Sequence, residues 1–180
     1  MADIKVLVLL GSLRAASINR QLAELAAESA PEGVGVTIYE GLGELPFYNE
    51  DLETDAAPAA VAALRAAAAA ADAALVVTPE YNGSIPGVLK NAIDWLSRPF
   101  GNGALKDKPL AVIGAALGRY GGVWAHDETR KSFGIAGPRV VDSVKLSLQT
   151  TTFDGRHPRE SAEVAAAVRD LVGKLAAEVS

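Results

Sequence analysis

Short, nearly unbroken apolar runs alternate along this chain with longer stretches in which apolar residues recur every three or four positions. Residues 4–10 are apolar at every position but Lys5, the pattern of a strand covered on both faces. A helix is predicted over 18–30, where Leu22, Leu25, Ala26 and Ser29 recur at helical spacing until Pro31 and Gly33 end it. A second strand is predicted over 34–39, and then a long connection over 40–57. Loops of that length are uncommon in compact domains and often carry function. Pro58 suits the first turn of a helix running to Ala71, whose alanine run reads as a thin helix packed close to a sheet. Further strands are predicted over 72–78, 110–114 and 140–148, and further helices over 87–97, 123–133 and 159–179.

Five β-α repeats with no internal sequence repeat and no linker predict one domain over 1–180. The fold class is α/β: a three-layer, flavodoxin-like arrangement of five parallel strands in the order 2-1-3-4-5. In such sheets a ligand lies outside the carboxyl ends of the strands, where the strand order reverses. That rule singles out three loops: 11–17, 79–86 and 115–122.

The first loop, Gly11-Ser12-Leu13-Arg14-Ala15-Ala16-Ser17, has neither a Walker lysine nor a G-x-G-x-x-G pattern. It offers two hydroxyls and a guanidinium around a helix start, with Asn19 just inside the helix. Unpaired N–H groups at a helix start favour an anion such as phosphate. Equally, Ser17 is a natural N-cap and Arg14 an ordinary surface residue. The second loop holds Pro79, Pro86 and Asn82-Gly83, an irregular backbone whose free N–H and C=O groups suit the edge of a flat heterocycle. It also reads as a rigid turn with Asn82-Gly83 at its corner. The third loop, with Gly118, Gly121 and Gly122, permits close approach of a ligand or simply a tight turn.

Composition narrows the chemistry. Apolar residues make up 49% of the 180 and charged residues 22%, which excludes a disordered chain. With no cysteine there is no disulfide, thiolate metal site or cysteine nucleophile. Seventeen basic against 22 acidic residues give a net charge of −5, which disfavours nonspecific binding to nucleic acid or an anionic membrane. No run is long enough for a membrane span and no targeting segment is visible, so the expected location is cytoplasmic. No acid–base pair stands out, and His126 is expected on a helix surface and His157 in a late loop.

Gly11-Ser12-Leu13-Arg14 with Ser17 and Asn19, then Pro79-Glu80-Tyr81-Asn82 with Ser84, Pro86 and Gly87, then Leu89 through Pro99, together resemble the NADPH-dependent FMN reductase family, and within it the quinone, chromate and azo-dye reductase branch. The resemblance implies bound FMN, reduced by NADPH or NADH, and a small-molecule acceptor such as a quinone, azo dye, chromate or free flavin, with donor and acceptor using one flavin face in turn in ping-pong fashion. It assigns the FMN phosphate to Ser12, Arg14, Ser17 and Asn19. Glu80, Tyr81, Asn82 and Gly83 would meet the isoalloxazine, with Pro79 shaping the turn, and Ala116 and Gly118 would belong to the third flavin loop with Gly121 and Gly122. Ala115 and Ala116 stand where the family usually has hydroxyl residues, leaving backbone contacts there. No metal is implied, and a homodimer or homotetramer is. Tyr48, in the long connection, would cover the flavin or serve packing, and Trp95 would meet a second subunit or pack within its own. The alternative is a flavodoxin-type electron carrier. A receiver domain lacks its acidic residues here, since Gly11-Ser12 and Pro79-Glu80 occupy their places, and a serine hydrolase lacks its G-x-S-x-G.

Overall fold

The computed structural model describes residues 4–54 and 56–179. Asp55 in the long connection, Met1 to Asp3 at the start of the chain and Ser180 lie outside the described residues.

Five strands, β1 (Ile4–Leu10), β2 (Val34–Tyr39), β3 (Ala73–Val77), β4 (Pro109–Ala116) and β5 (Arg139–Gln149), alternate with five helices. These are α1 (Ile18–Glu28), α2 (Ala59–Ala70), α3 (Gly87–Leu96), α4 (Val123–Ala136) and α5 (Ala162–Ala177). The sheet is wholly parallel, in the order β2-β1-β3-β4-β5, as the alternation predicts. The three central strands are buried along almost their whole length, which is why they read as continuous apolar runs.

Alternation along each strand divides the core in two. Val6, Val8 and Leu10 of β1 point into a cluster with Leu22 of α1 and Val168 and Leu175 of α5. Leu7 and Leu9 point the other way, into a cluster with Leu64, Leu89, Trp95 and Phe133 from α2, α3 and α4. Ala68 is fully buried, so the alanine-rich α2 does lie close on the sheet.

Some boundaries differ from the sequence reading. β4 and β5 are longer than predicted, and the last helix begins at Ala162, after a short 3-10 turn at Pro158–Glu160 capped by His157. The long connection contains two more 3-10 turns, Gly41–Glu44 and Glu50–Leu52. Its Tyr48 packs edge-on to Trp95 at 4.9 Å, the Trp95 indole donates to the Pro46 carbonyl at 2.8 Å, and Asn91 bonds both Pro46 and Tyr48. Arg65 and Arg98 close the clasp onto Glu53. Trp95 is therefore fully buried within its own chain, the second of the two alternatives its sequence left open.

Between β4 and β5 the pairing is irregular. Leu110 faces Val140, but Val112 faces Lys145, so β5 advances five residues while β4 advances two.

Candidate functional site

All three loops meet at the carboxyl end of the sheet, around an open cleft of about 420 Å³. Among the residues singled out from sequence, Ser12, Arg14, Ser17, Asn19, Pro79, Glu80, Tyr81 and Ala116 line it. Asn82, Gly83 and Gly118 lie outside the lining, while Leu117 and Thr150, not singled out, belong to it.

The first loop leaves β1 at Gly11, whose N–H still donates to Val77 of β3. A side chain at Gly11 would collide with Thr78, so the loop passes tightly over the end of β3. Ser17 then caps α1: its hydroxyl oxygen accepts from the N–H of Asn19 at 3.1 Å and Arg20 at 3.4 Å. Between these fixed points the backbone N–H groups of residues 12–16 make no hydrogen bond among the described residues. Ser12 is buried and lines the cleft, and Arg14 is exposed, its guanidinium without an ion-pair partner among the described residues. A run of free N–H groups at a helix start beside a free cation is a receptor for an anion.

Asn19 has a structural part as well as a place on the cleft lining. Its amide donates to the Ala115 carbonyl and accepts from the Ala115 N–H, both at 2.8 Å. Asn19 thus braces the first loop to the third, with one of its two N–H donors left over. The same pair takes up Ala115's backbone groups, and Ala116 pairs with Gln149 of β5.

In the second loop Tyr81 and Ser84 exchange backbone hydrogen bonds across Asn82 and Gly83, both at positive φ (53° and 73°). This is a tight two-residue turn of the kind Asn-Gly favours. It projects Tyr81 half-exposed at the rim. The Glu80 carboxylate accepts from the Ala125 N–H at 3.1 Å, capping α4, whose own N-cap, Gly122, has no side chain. Ser84 donates to Glu128 at 2.6 Å. Two side chains therefore fasten the second loop to α4.

The third loop turns through a Gly121 N–H to Gly118 carbonyl bond of 2.9 Å, and Gly121 and Gly122 have positive φ. An added Cβ at Gly121 would sit within 2.9 Å of the Leu148 backbone, and one at Gly122 within 3.0 Å of the His126 ring.

His126 corrects the expectation of a surface residue, since it is fully buried. Its Nε2 lies 2.9 Å from the Thr78 carbonyl, which can only accept, so Nε2 carries the proton. Nδ1 then accepts from the Ser147 hydroxyl at 2.7 Å. Burial pushes the imidazole pKa below its ordinary value, which keeps it neutral. His126 ties the exit of β3 to α4 and β5 directly beneath the second loop. Gly114 sits at the centre of this network. A Cβ there would collide with the Thr78 carbonyl and stand 2.7 Å from His126 Nε2 and 2.9 Å from Asn19 Oδ1.

Sequence reasoning passed over His126, Thr78 and Ser147 as parts of the site. A signal existed for the first: His126 falls on the stripe with Thr129 and Phe133, the buried side of α4.

The sequence profile of the NADPH-dependent FMN reductase family matches residues 4–152. A quinone reductase of Pseudomonas putida is 46% identical over 127 residues, covering 71% of this chain and 68% of that one. An NAD(P)H-dependent FMN reductase of Pseudomonas aeruginosa is 40% identical over 156 residues, covering 86% and 83%. Among solved structures, the flavoenzyme NAD(P)H:(acceptor) oxidoreductase FerB from Paracoccus denitrificans is similar with a TM-score of 0.85 at 32% identity, covering 98% of this chain and 97% of that one.

Proposed function

This chain belongs to the NADPH-dependent FMN reductase family, and from that premise we propose that its cleft holds FMN and serves the reduction of quinones or similar small acceptors by NAD(P)H. The observation that carries the assignment to this cleft is the first loop: free N–H groups at residues 12–16, Ser12 on the lining and the unpaired Arg14 fit a phosphate in number and charge. The irregular backbone of Pro79, Glu80 and Tyr81 and the backbone of Ala116 and Leu117 fit the edges of a flat ring between the second and third loops. When bound, FMN supplies the chemistry, taking a hydride from the nicotinamide and reducing the acceptor.

The protein's part is to orient and to hold charge. Arg14 and the start of α1 fix the phosphate end. Glu80, by capping α4, and His126, by holding the Thr78 carbonyl, fix the second loop so that its backbone groups stand ready before any ligand arrives. No side chain on the cleft is needed as a general acid or base, because protons taken up by a reduced quinone come from water at this open face.

The homodimer or homotetramer belongs to the same proposal. Phe100 and Ile135, 82% and 72% exposed, border a shallow groove between α3 and α4 that a second copy would cover. A cytoplasmic place of action is proposed with it; no helix among the described residues is long and apolar enough to cross a membrane. The test is reconstitution. The purified protein should retain FMN more tightly than riboflavin and oxidise NAD(P)H when a quinone is added. Equal retention of the two flavins would remove the phosphate reading, and absence of quinone-dependent turnover would remove the activity.

A further inference from the structure

Beside the cleft lies an exposed feature that flavin binding leaves unused. Leu117, on the lining, is 76% exposed, and the chain continues into Arg119, Tyr120 and, as the second residue of α4, Trp124. The Tyr120 and Trp124 rings pack with centroids 5.8 Å apart and are 58% and 59% exposed. The Arg119 guanidinium lies 5.9 Å from the Tyr120 ring centre. Trp124 also rests against the tip of the second loop, 3.5 Å from where a Gly83 Cβ would stand. Arg119, Tyr120 and Trp124 make one ledge running from the third loop to the tip of the second.

The ledge is held in place. The Gly118–Gly121 turn, the lack of room at Gly121 and Gly122 and the Glu80 cap on Ala125 fix both of its ends. Its guanidinium is free. The carboxylates of this region each have a partner, Glu80 in the Ala125 N–H, Glu128 in the Ser84 hydroxyl and Asp127 in Arg130, while Arg119 has no ion pair or hydrogen bond among the described residues. The two rings are inclined at 46°, so each exposed ring face can take one planar ring, and a free guanidinium, charged at every working pH, asks for an anionic group at that ring's edge.

We propose that Arg119, Tyr120 and Trp124 form a selectivity element favouring planar aromatic acceptors that carry an ionised substituent, an oxyanion or a sulfonate. The proposal rests on the function given above and names the acceptor class within it. The ledge stacks the acceptor ring, and Arg119 holds its charge at the mouth of the cleft.

The test compares 1,4-naphthoquinone-2-sulfonate with neutral 2-methyl-1,4-naphthoquinone on the FMN-loaded protein. At about 10 mM salt, where the screening length is about 30 Å, Arg119→Gln should lower the ratio of kcat/KM for the sulfonate to that for the neutral quinone by about threefold, in the range of an exposed ion pair. Arg119→Glu should lower it further, Arg119→Lys should keep most of it, and about 1 M salt should erase the difference between variants. A second measurement needs no turnover: calorimetric binding of 2-naphthalenesulfonate, which the protein cannot reduce, should weaken with Arg119→Gln and with Trp124→Ala. An unchanged ratio together with unchanged sulfonate binding overturns the proposal. A change confined to KM for NADPH relative to NADH also overturns it, assigning Arg119 to the donor's phosphate. Absence of turnover with either quinone in the unmodified protein would strike the function itself, and the inert sulfonate would still decide the ledge.

Discussion

The two ends of the sheet are built on different terms. At the amino end, polar groups stay near water: Asp72 accepts from the Lys5 N–H at 2.8 Å, Lys108 reaches the carbonyls of Ala68 and Ala69 at the end of α2, and Arg139 pairs with Glu178. At the carboxyl end, Ser12, Ser17, Asn19, Thr78 and His126 are all buried, and several glycines have no room for a methyl group. A buried polar group costs stability unless every donor and acceptor is matched. Two of them are matched across elements: His126 joins β3, α4 and β5, and Asn19 joins α1 to β4. The amino end can lose a contact locally, whereas the carboxyl end holds or loosens together. That is what a cleft assembled from three separate loops requires if it is to be shaped before its ligand binds.

The most severe way to break this contrast is Gly114→Ala. Its methyl group would force apart Thr78, His126 and Asn19 together, and we expect a loss of about 3 kcal/mol in urea unfolding along with loss of FMN retention. Gly35→Ala, on β2, meets nothing closer than a backbone oxygen at 3.9 Å and should change stability by less than about 1 kcal/mol. Equal effects at the two positions would end the distinction.

Next comes His126→Ala, which leaves the Thr78 carbonyl and the Ser147 hydroxyl unmatched and should cost about 2–3 kcal/mol, with His126→Gln recovering part of it. The pH dependence follows from the lowered pKa. The unfolded chain binds a proton at the ordinary value of 6.5 while the folded imidazole resists it. The stabilisation is thus complete above that pH and is lost progressively as pH falls through it toward the lowered folded value. The urea midpoint should drop below about pH 6.5, and the part of that drop due to His126 should vanish in His126→Gln.

Arg14→Ala probes the ligand rather than the scaffold. Because Arg14 is exposed, the lost charge-assisted bond is worth about 1–2 kcal/mol, roughly five- to thirtyfold in FMN dissociation constant. Riboflavin binding and the urea midpoint should not move. The smallest effect belongs to the amino end. Lys108→Met removes two bonds to the last turn of α2 and should cost about 0.5–1 kcal/mol without altering FMN affinity; a change in affinity would show that the two ends are coupled after all.

Much of this was legible in the sequence because of how a parallel sheet buries its strands. Continuous runs such as Val6 to Leu10 and Ala73 to Val77 mark central strands whatever else the chain does. The Asn82-Gly83 turn and the Ser17 cap were equally local and equally readable. What escaped depends on partners distant in the chain. That Asn19 also braces two loops shows only once Ala115, 96 residues away, is seen to bond both ends of its amide. His126 stands two residues from Trp124, and hydrophobicity alone would bury the tryptophan and expose the histidine, whereas the structure does the reverse. Only the hydroxyl and carbonyl waiting beneath α4 make the buried imidazole tolerable, and neither lies near it in sequence.

The irregular pairing of β5 decides what that imidazole meets. Had the register of Leu110 with Val140 continued, Val144 would stand opposite Gly114; with three residues gained, Ser147 stands there. Three is odd, so the insertion also inverts which side of the sheet each side chain faces. Val144 goes into the core shared with α1 and α5, and Ser147 turns toward α4 and His126. An edge strand thus works as a vernier: removing one residue from 141–144 would bring Leu148 opposite Gly114 and present the histidine with a hydrocarbon. Length changes in this segment would then be read out on the far side of the sheet, as chemistry at the cleft floor.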